Sequence, residues 1–148
     1  MRWISFRPLP QGRLQLRAEA GAVLAPDDAP VPATQLFRTG GDTTVRGYSF
    51  LDIGVPLPGG LVGPGRYMTV ASVEWQRPII RNAQPTQFEH TLFIDSGAVA
   101  DRIGGLRQQV GIGTGMRWRS PVGPVEGAIA YGVQAHKLRL HFTAGFVF

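Results

Sequence analysis

The 148-residue sequence has the length of one domain, and 20 glycines and 12 prolines beside 43% hydrophobic residues disfavour long helices and a disordered tail and favour many short strands joined by turns. The formal charge of +5 comes from 15 basic residues, of which only Lys137 is a lysine; they are scattered singly, neither gathered on a patch nor interleaved with stacking aromatics, which argues against nucleic-acid binding. Absence of cysteine removes disulfides and thiolate metal sites, and no run of 18 apolar residues could cross a membrane as a helix, although strands remain possible.

Met1-Arg2-Trp3-Ile4-Ser5-Phe6-Arg7-Pro8 lacks the apolar stretch of a secretory signal and reads as the middle of a strand, so the chain is expected to begin inside a larger protein. Pro8-Leu9-Pro10-Gln11-Gly12 supplies turn chemistry. Beyond it Leu14, Leu16, Ala18 and Ala20 alternate with Arg13, Gln15, Arg17 and Glu19, and period two means strand. Residues 1–8 and 13–24 are therefore expected to form a hairpin. From Ala25 to about Pro64 the chain carries prolines, Asp27-Asp28, Gly40-Gly41 and Gly59-Gly60 without sustained periodicity. A loop of that length in a compact domain is functional or disordered, and its middle, Phe37 to Tyr48, is too specific in composition for a linker.

Alternation resumes at Tyr67–Pro78, with Val73 and Trp75 opposite Ser72, Glu74 and Gln76, and residues 81–85 turn the chain. In Phe88–Ala100, Leu92 and Ile94 lie opposite Thr91, Phe93 and Asp95; Asp101–Gly105 makes the next turn. Leu106–Ser120 sets Val110, Ile112, Met116 and Trp118 against Gly111, Gly113, Gly115, Arg117 and Arg119, and Pro121-Val122-Gly123-Pro124 turns it back. The glycines there form no strand-to-helix dinucleotide fingerprint; they are expected to thin one face of the strand. Val125–Val133 and Leu138–Phe148 complete the set, joined through residues 134–137. The last strand alternates most clearly, with Leu138, Leu140, Phe142, Ala144, Phe146 and Phe148 on one face. His90, His136 and His141 share no metal-ligand spacing and read as ordinary strand or turn residues. Periodicity alone fits a soluble β-sandwich as well as a transmembrane barrel wall; strand lengths of about ten residues and the terminal aromatic favour the membrane.

Three segments carry a family resemblance: Phe-Arg-Thr-Gly-Gly-Asp-Thr-Thr-Val-Arg-Gly-Tyr at 37–48, Leu-Phe-Ile-Asp-Ser-Gly at 92–97, and Gly-Ile-Gly-Thr-Gly-Met-Arg-Trp-Arg-Ser-Pro-Val-Gly-Pro at 111–124. In order and spacing the chain resembles the bacterial surface antigen superfamily of outer-membrane protein-assembly barrels, TamA-like and BamA-related. The resemblance implies an all-β, antiparallel up-and-down meander of about six to seven strands, the carboxy-terminal part of a barrel and an open sheet in isolation. Periplasmic POTRA domains and earlier strands would be missing. Residues 25–65 would be a long extracellular loop folded back into the lumen, with Arg46, Gly47 and Tyr48 of the loop meeting Asp95, Glu74 and Phe93 of the wall. Arg46 would pair first with Asp95, through paired hydrogen bonds, and removing one partner of a buried pair costs about 3–5 kcal/mol, less in a wet lumen. Leu140, Phe142, Phe146 and Phe148 resemble the sorting signal of a terminal strand, whose open edge can add to another sheet. The implied location is the bacterial outer membrane, and the implied partners are its lipid, client outer-membrane proteins at the strand edge and an inner-membrane or periplasmic assembly partner. No cofactor, nucleotide, metal or catalysis is implied. The Val125–Tyr131 run departs from the family's usual alternation of apolar and basic residues.

Asp95-Ser96-Gly97-Ala98 also fits the signature of a retropepsin-like aspartic protease, in which two such aspartates of a dimer share a proton. Only 53 residues follow Asp95 to supply the remaining elements, and that reading leaves the 37–48 and 117–124 segments unexplained. The two readings separate on one contact: Asp95 faces its symmetry mate in the protease and Arg46 in the barrel.

Overall fold

The computed structural model describes residues 1–26 and 30–145. Its strands are β1 (Arg2–Leu9), β2 (Gly12–Ala22), β3 (Val55–Pro56), β4 (Val62–Gly63), β5 (Tyr67–Arg81), β6 (Gln84–Ala100), β7 (Gln109–Ser120), β8 (Gly123–Gly132) and β9 (Lys137–Ala144). Seven of them form one antiparallel sheet in the order β1-β2-β5-β6-β7-β8-β9, and β3 pairs with β4 in a small hairpin of its own. Each long strand pairs with the next long strand in the chain, so the expected meander is the observed fold.

The two ends of the sheet differ in chemistry. At one end the connections are two residues long: Leu9 pairs with Gly12, Arg81 with Gln84 and Ser120 with Gly123. Asn82 and Ala83 both take positive φ, 51° and 61°, as a twisted two-residue hairpin turn demands. The turn read at residues 81–85 is thus narrower, because this geometry lets pairing run on to Arg81 and Gln84. The other end carries residues 23–66, 101–108 and 133–136. There β7 begins at Gln109 rather than Leu106, since Gly105 and Leu106 donate their N–H groups to the Arg102 and Ile103 carbonyls instead of to a neighbouring strand. Short turns at one end and long loops at the other are the asymmetry of outer-membrane barrels.

Burial is inverted relative to a soluble sandwich, whose alternating strands hide their apolar faces between two sheets. Here Val73, Leu92, Ile94, Ile112, Met116, Trp118, Ile129, Leu140 and Phe142 are exposed, while Glu74, Gln76, Thr91, Asp95 and His141 are buried. With 15 and 17 residues, β5 and β6 exceed the roughly 9–11 tilted residues that cross a bilayer. Phe88 and Trp118, paired across β6 and β7 near the short-turn end, stack at 6.4 Å between centroids on this apolar face, where barrels carry aromatic girdles. Phe146 and Phe148 lie outside the described residues.

The small apolar core lies between the polar face of the sheet and the long loop, where Val45, Tyr48 and Ile53 pack on Val70. The loop owes its order to fragments: Phe37 bridges Gly65, Thr39 bridges Ile53, a single turn forms at Ala33–Gln35, and another at Pro58–Gly60 joins β3 to β4. None is long enough to print a period in the sequence.

Candidate functional site

Antiparallel register brings polar-face residues into rows across the sheet. One row runs Arg17, Ser72, Asp95, Gly111, Gly132; the next runs Gln15, Glu74, Phe93, Gly113, Ala130. A third runs Gln76, Thr91, Gly115, Ala128, His141, and Arg117 stands directly opposite Glu126. Acidic and aromatic groups therefore concentrate on β5 and β6, and small residues on β7 and β8. The loop backbone lies over the small residues and points its arginine at the acids.

Arg46 is the hub of this arrangement. Its Nε and Nη2 donate to the two oxygens of Asp95 at 2.7 and 3.0 Å, and its backbone N–H adds a third bond to Asp95 at 3.1 Å. Ser72 Oγ donates a fourth at 2.6 Å, so the fully buried carboxylate is saturated. Nη1 donates to Glu74 at 2.7 Å and to Glu126 at 3.2 Å. Arg117 closes the other side, donating to Glu74 at 2.8 Å and from Nε to Glu126 at 2.9 Å. The Arg46 guanidinium also lies on the face of Phe93, 3.3 Å from the ring centroid, a cation–π contact. Phe93 and Asp95 share a face because they are two residues apart on one strand, so a single guanidinium can stack on one while bonding the other. Burial works against the Arg46 charge, but the bonds and charges of Asp95 and Glu74 outweigh it and raise its pKa above the ordinary arginine value. A cleft of about 230 Å³ lies beside the cluster. It has room for several waters at about 30 Å³ each, which lessens the isolation of these charges.

The backbone at Arg46 and Gly47 touches the wall directly. A Cβ on Gly111 would lie 1.7 Å from the Arg46 carbonyl oxygen. Gly47 sits at φ +98°, and a Cβ there would meet the Gly132 nitrogen at 2.8 Å. Of the β7 glycines only Gly111 makes room for the loop backbone. Gly113 accommodates the Phe93 ring, and Gly115 faces the Thr91 hydroxyl.

Tyr48 packs on Val70, and its hydroxyl donates to Gln134 Oε1 at 2.8 Å; Gln134 Oε1 also accepts from the Val110 N–H at 2.8 Å. Burial pushes the Tyr48 phenol up, which keeps it a donor. Tyr48→Phe removes the bond to Gln134 Oε1 and a longer one, 3.3 Å, which the hydroxyl accepts from the Gln134 backbone N–H, and leaves Gln134 Oε1 its bond to Val110. The expected cost is about 1–2 kcal/mol, read as a lower denaturant midpoint with the loop still seated.

The structure brings Arg46, Gly47, Tyr48, Asp95, Glu74 and Phe93 together in one contact region. Glu126 and Arg117 complete it, and neither belongs to the contact that the resemblance implies. Period two had placed Arg117 on the polar face, but its pairing with Glu126 depends on register. Arg17 was also not anticipated; from β2 its Nη2 donates to the Thr44 carbonyl at 2.8 Å and its Nη1 to that of Thr43. Leu140 and Phe142 lie apart from this region, on the exposed apolar face of β9. Asp95 lies within β6 with its lone pairs taken by Arg46 and Ser72, and Ser96 donates instead to Gln108. That arrangement gives the protease reading no support. Among the described residues no group of three or more histidine or acidic side chains is placed to hold a metal ion.

A family model described as the Omp85 superfamily domain matches residues 5–148. The outer membrane protein assembly factor BamA of Nitratidesulfovibrio vulgaris is 30% identical over 150 aligned positions, which cover 94% of this chain and 19% of that protein. The crystal structure of BamA from Haemophilus ducreyi lacking POTRA domains 1–3 matches with a TM-score of 0.76 at 20% identity, a likeness of fold over 99% of this chain and 34% of that one. The chain thus spans about a fifth of the curated relative and about a third of the solved one. By a family match over nearly its whole length, and by a meander that turns its apolar face outward, the chain belongs to the Omp85 superfamily as a piece of an outer-membrane β-barrel.

Proposed function

We propose that the chain is the carboxy-terminal part of the barrel of an outer-membrane protein-assembly factor, with residues 25–65 inserted into the lumen and Arg46 as the anchor. It acts without chemical catalysis. The wall holds the loop in place, while the edge of β9 remote from β8 is where a client strand can add by backbone pairing. One observation carries this reading: Arg46 reaches the carboxylates of three strands at once, so the loop and β5, β6 and β8 are held as one body. Clients are nascent outer-membrane proteins, outer-membrane lipid wets the apolar face, and a periplasmic or inner-membrane partner belongs to the same reading. Both relatives named above are BamA, which supports assembly as the general task.

Depleting the full-length protein from its native bacterium tests the proposal. The expected result is a several-fold loss of newly folded outer-membrane barrels, scored by their heat-modifiable electrophoretic mobility. Loss across all barrels indicates a general insertase, and loss confined to autotransporters indicates a dedicated assembly factor. Unchanged levels of both would sink the proposal.

A further inference from the structure

His141 projects from β9 onto the polar face and is buried there, opposite Ala128 of β8, whose short side chain leaves room for the ring. Its Nε2 lies 2.8 Å from the backbone nitrogen of Gly47, and its Nδ1 faces a carboxylate oxygen of Asp42. An amide N–H can only donate, so Nε2 must be the bare, accepting nitrogen. The proton of the neutral ring then sits on Nδ1, where it donates to Asp42. One tautomer satisfies both contacts, and both partners belong to the long loop. A second nitrogen-bound proton would set two donors against each other at Gly47.

Within the sheet of described residues β9 bonds through its backbone to β8 alone, over Val125↔Ala144 to Gly132↔Lys137. Among those residues His141 is the β9 side chain hydrogen-bonded to the loop. The anchoring carboxylates of Arg46 stand on β5, β6 and β8. Without His141 the loop would be fastened to the wall but not to its last strand.

We infer that His141 is a positioning residue, oriented by Asp42, that latches the loop to β9 at Gly47, so that β9 cannot peel from β8 while the loop stays seated. The inference rests on the proposed role of the β9 edge and deepens it: the strand that presents its outer edge to a client is tied to the loop, so separating β9 from β8 and moving the loop become one event. A partner strand adding at β9 then has a route to the loop through a single imidazole.

Two spin labels in the full-length protein in lipid bilayers test this, one at Phe50 on the loop and one at Leu140 on β9, which are 78% and 81% exposed. The parent protein should give a narrow distance distribution. H141A should widen it at least twofold. H141Q should restore the narrow one, because a glutamine amide oxygen can accept from the Gly47 N–H as Nε2 does. A distribution as narrow in H141A as in the parent overturns the latch, and so does a glutamine variant as broad as alanine. If H141A does not insert, H141Q decides: insertion with the parental distribution supports the latch, and failure or broadening overturns it. The distance is read independently of client assembly, so a depletion strain without an assembly defect would sink the functional reading and leave this result standing.

Discussion

Arg46→Ala in the full-length protein is expected to unseat the long loop and abolish complementation of a depletion strain. The substitution removes five side-chain contacts at once: two bonds to Asp95, one each to Glu74 and Glu126, and the stack on Phe93. Asp95 suffers most, since it is fully buried and keeps only Ser72 and the Arg46 backbone N–H as donors. Breaking one side of a buried ion pair costs about 3–5 kcal/mol, a factor of roughly 150 to 4,000 in the seated loop. Arg117, still bonded to Glu74 and Glu126, and the room for water in the adjoining cleft move the cost toward the lower end. Arg46→Lys should rescue only in part, because an ammonium reproduces neither the paired bonds to Asp95 nor the planar stack on Phe93. Limited proteolysis of whole cells reads the loop directly, with new cleavage between residues 38 and 50 expected in the alanine variant. A variant that complements and resists protease like the parent would remove Arg46 from its role.

Gly111→Ala should produce a defect of the same kind without touching a charge. Its Cβ would stand 1.7 Å from the Arg46 carbonyl oxygen, far inside van der Waals contact, and the atom it meets is backbone. Neither side can yield cheaply. The loop backbone is held by Gly47 against Gly132, and β7 is paired on both sides, to Asp95 and to Gly132 at this row. Overpacking a well-fitted site costs typically 1–3 kcal/mol, and a clash between two backbones falls at or above the top of that range. Gly127→Ala is the matched control: it adds the same methyl group to β8, at a position where a Cβ would meet nothing within 4 Å. Protease resistance and complementation should be lost at 111 and retained at 127. Equal behaviour of the two would mean that the loop does not lie on this row of the wall.

Much of the site could be read from the chain because its chemistry is local. Asp95 and Phe93 share a face by simple alternation, and Arg46-Gly47-Tyr48 is contiguous, so the family's segments named both halves of the contact. Glu126 and Arg117 could not be found that way. Their significance lies in standing opposite each other on β7 and β8 within reach of Arg46, and register is set by turn lengths and pairing rather than by either residue's neighbours. The unfamiliar Val125–Tyr131 run hid Glu126 further. His141 read as an ordinary strand residue for the same reason, since its partners Gly47 and Asp42 lie 94 and 99 positions away.

By itself the sequence determined where the strands fall, the two faces of each and the place of the long loop, because a period of two and turn residues act over a few positions; their order as a meander came with the family resemblance. Only the tertiary structure decided which rows align, which glycine receives the loop backbone and which three carboxylates share one arginine. Those outcomes depend on distances between strands far apart in the chain, and no local pattern encodes them.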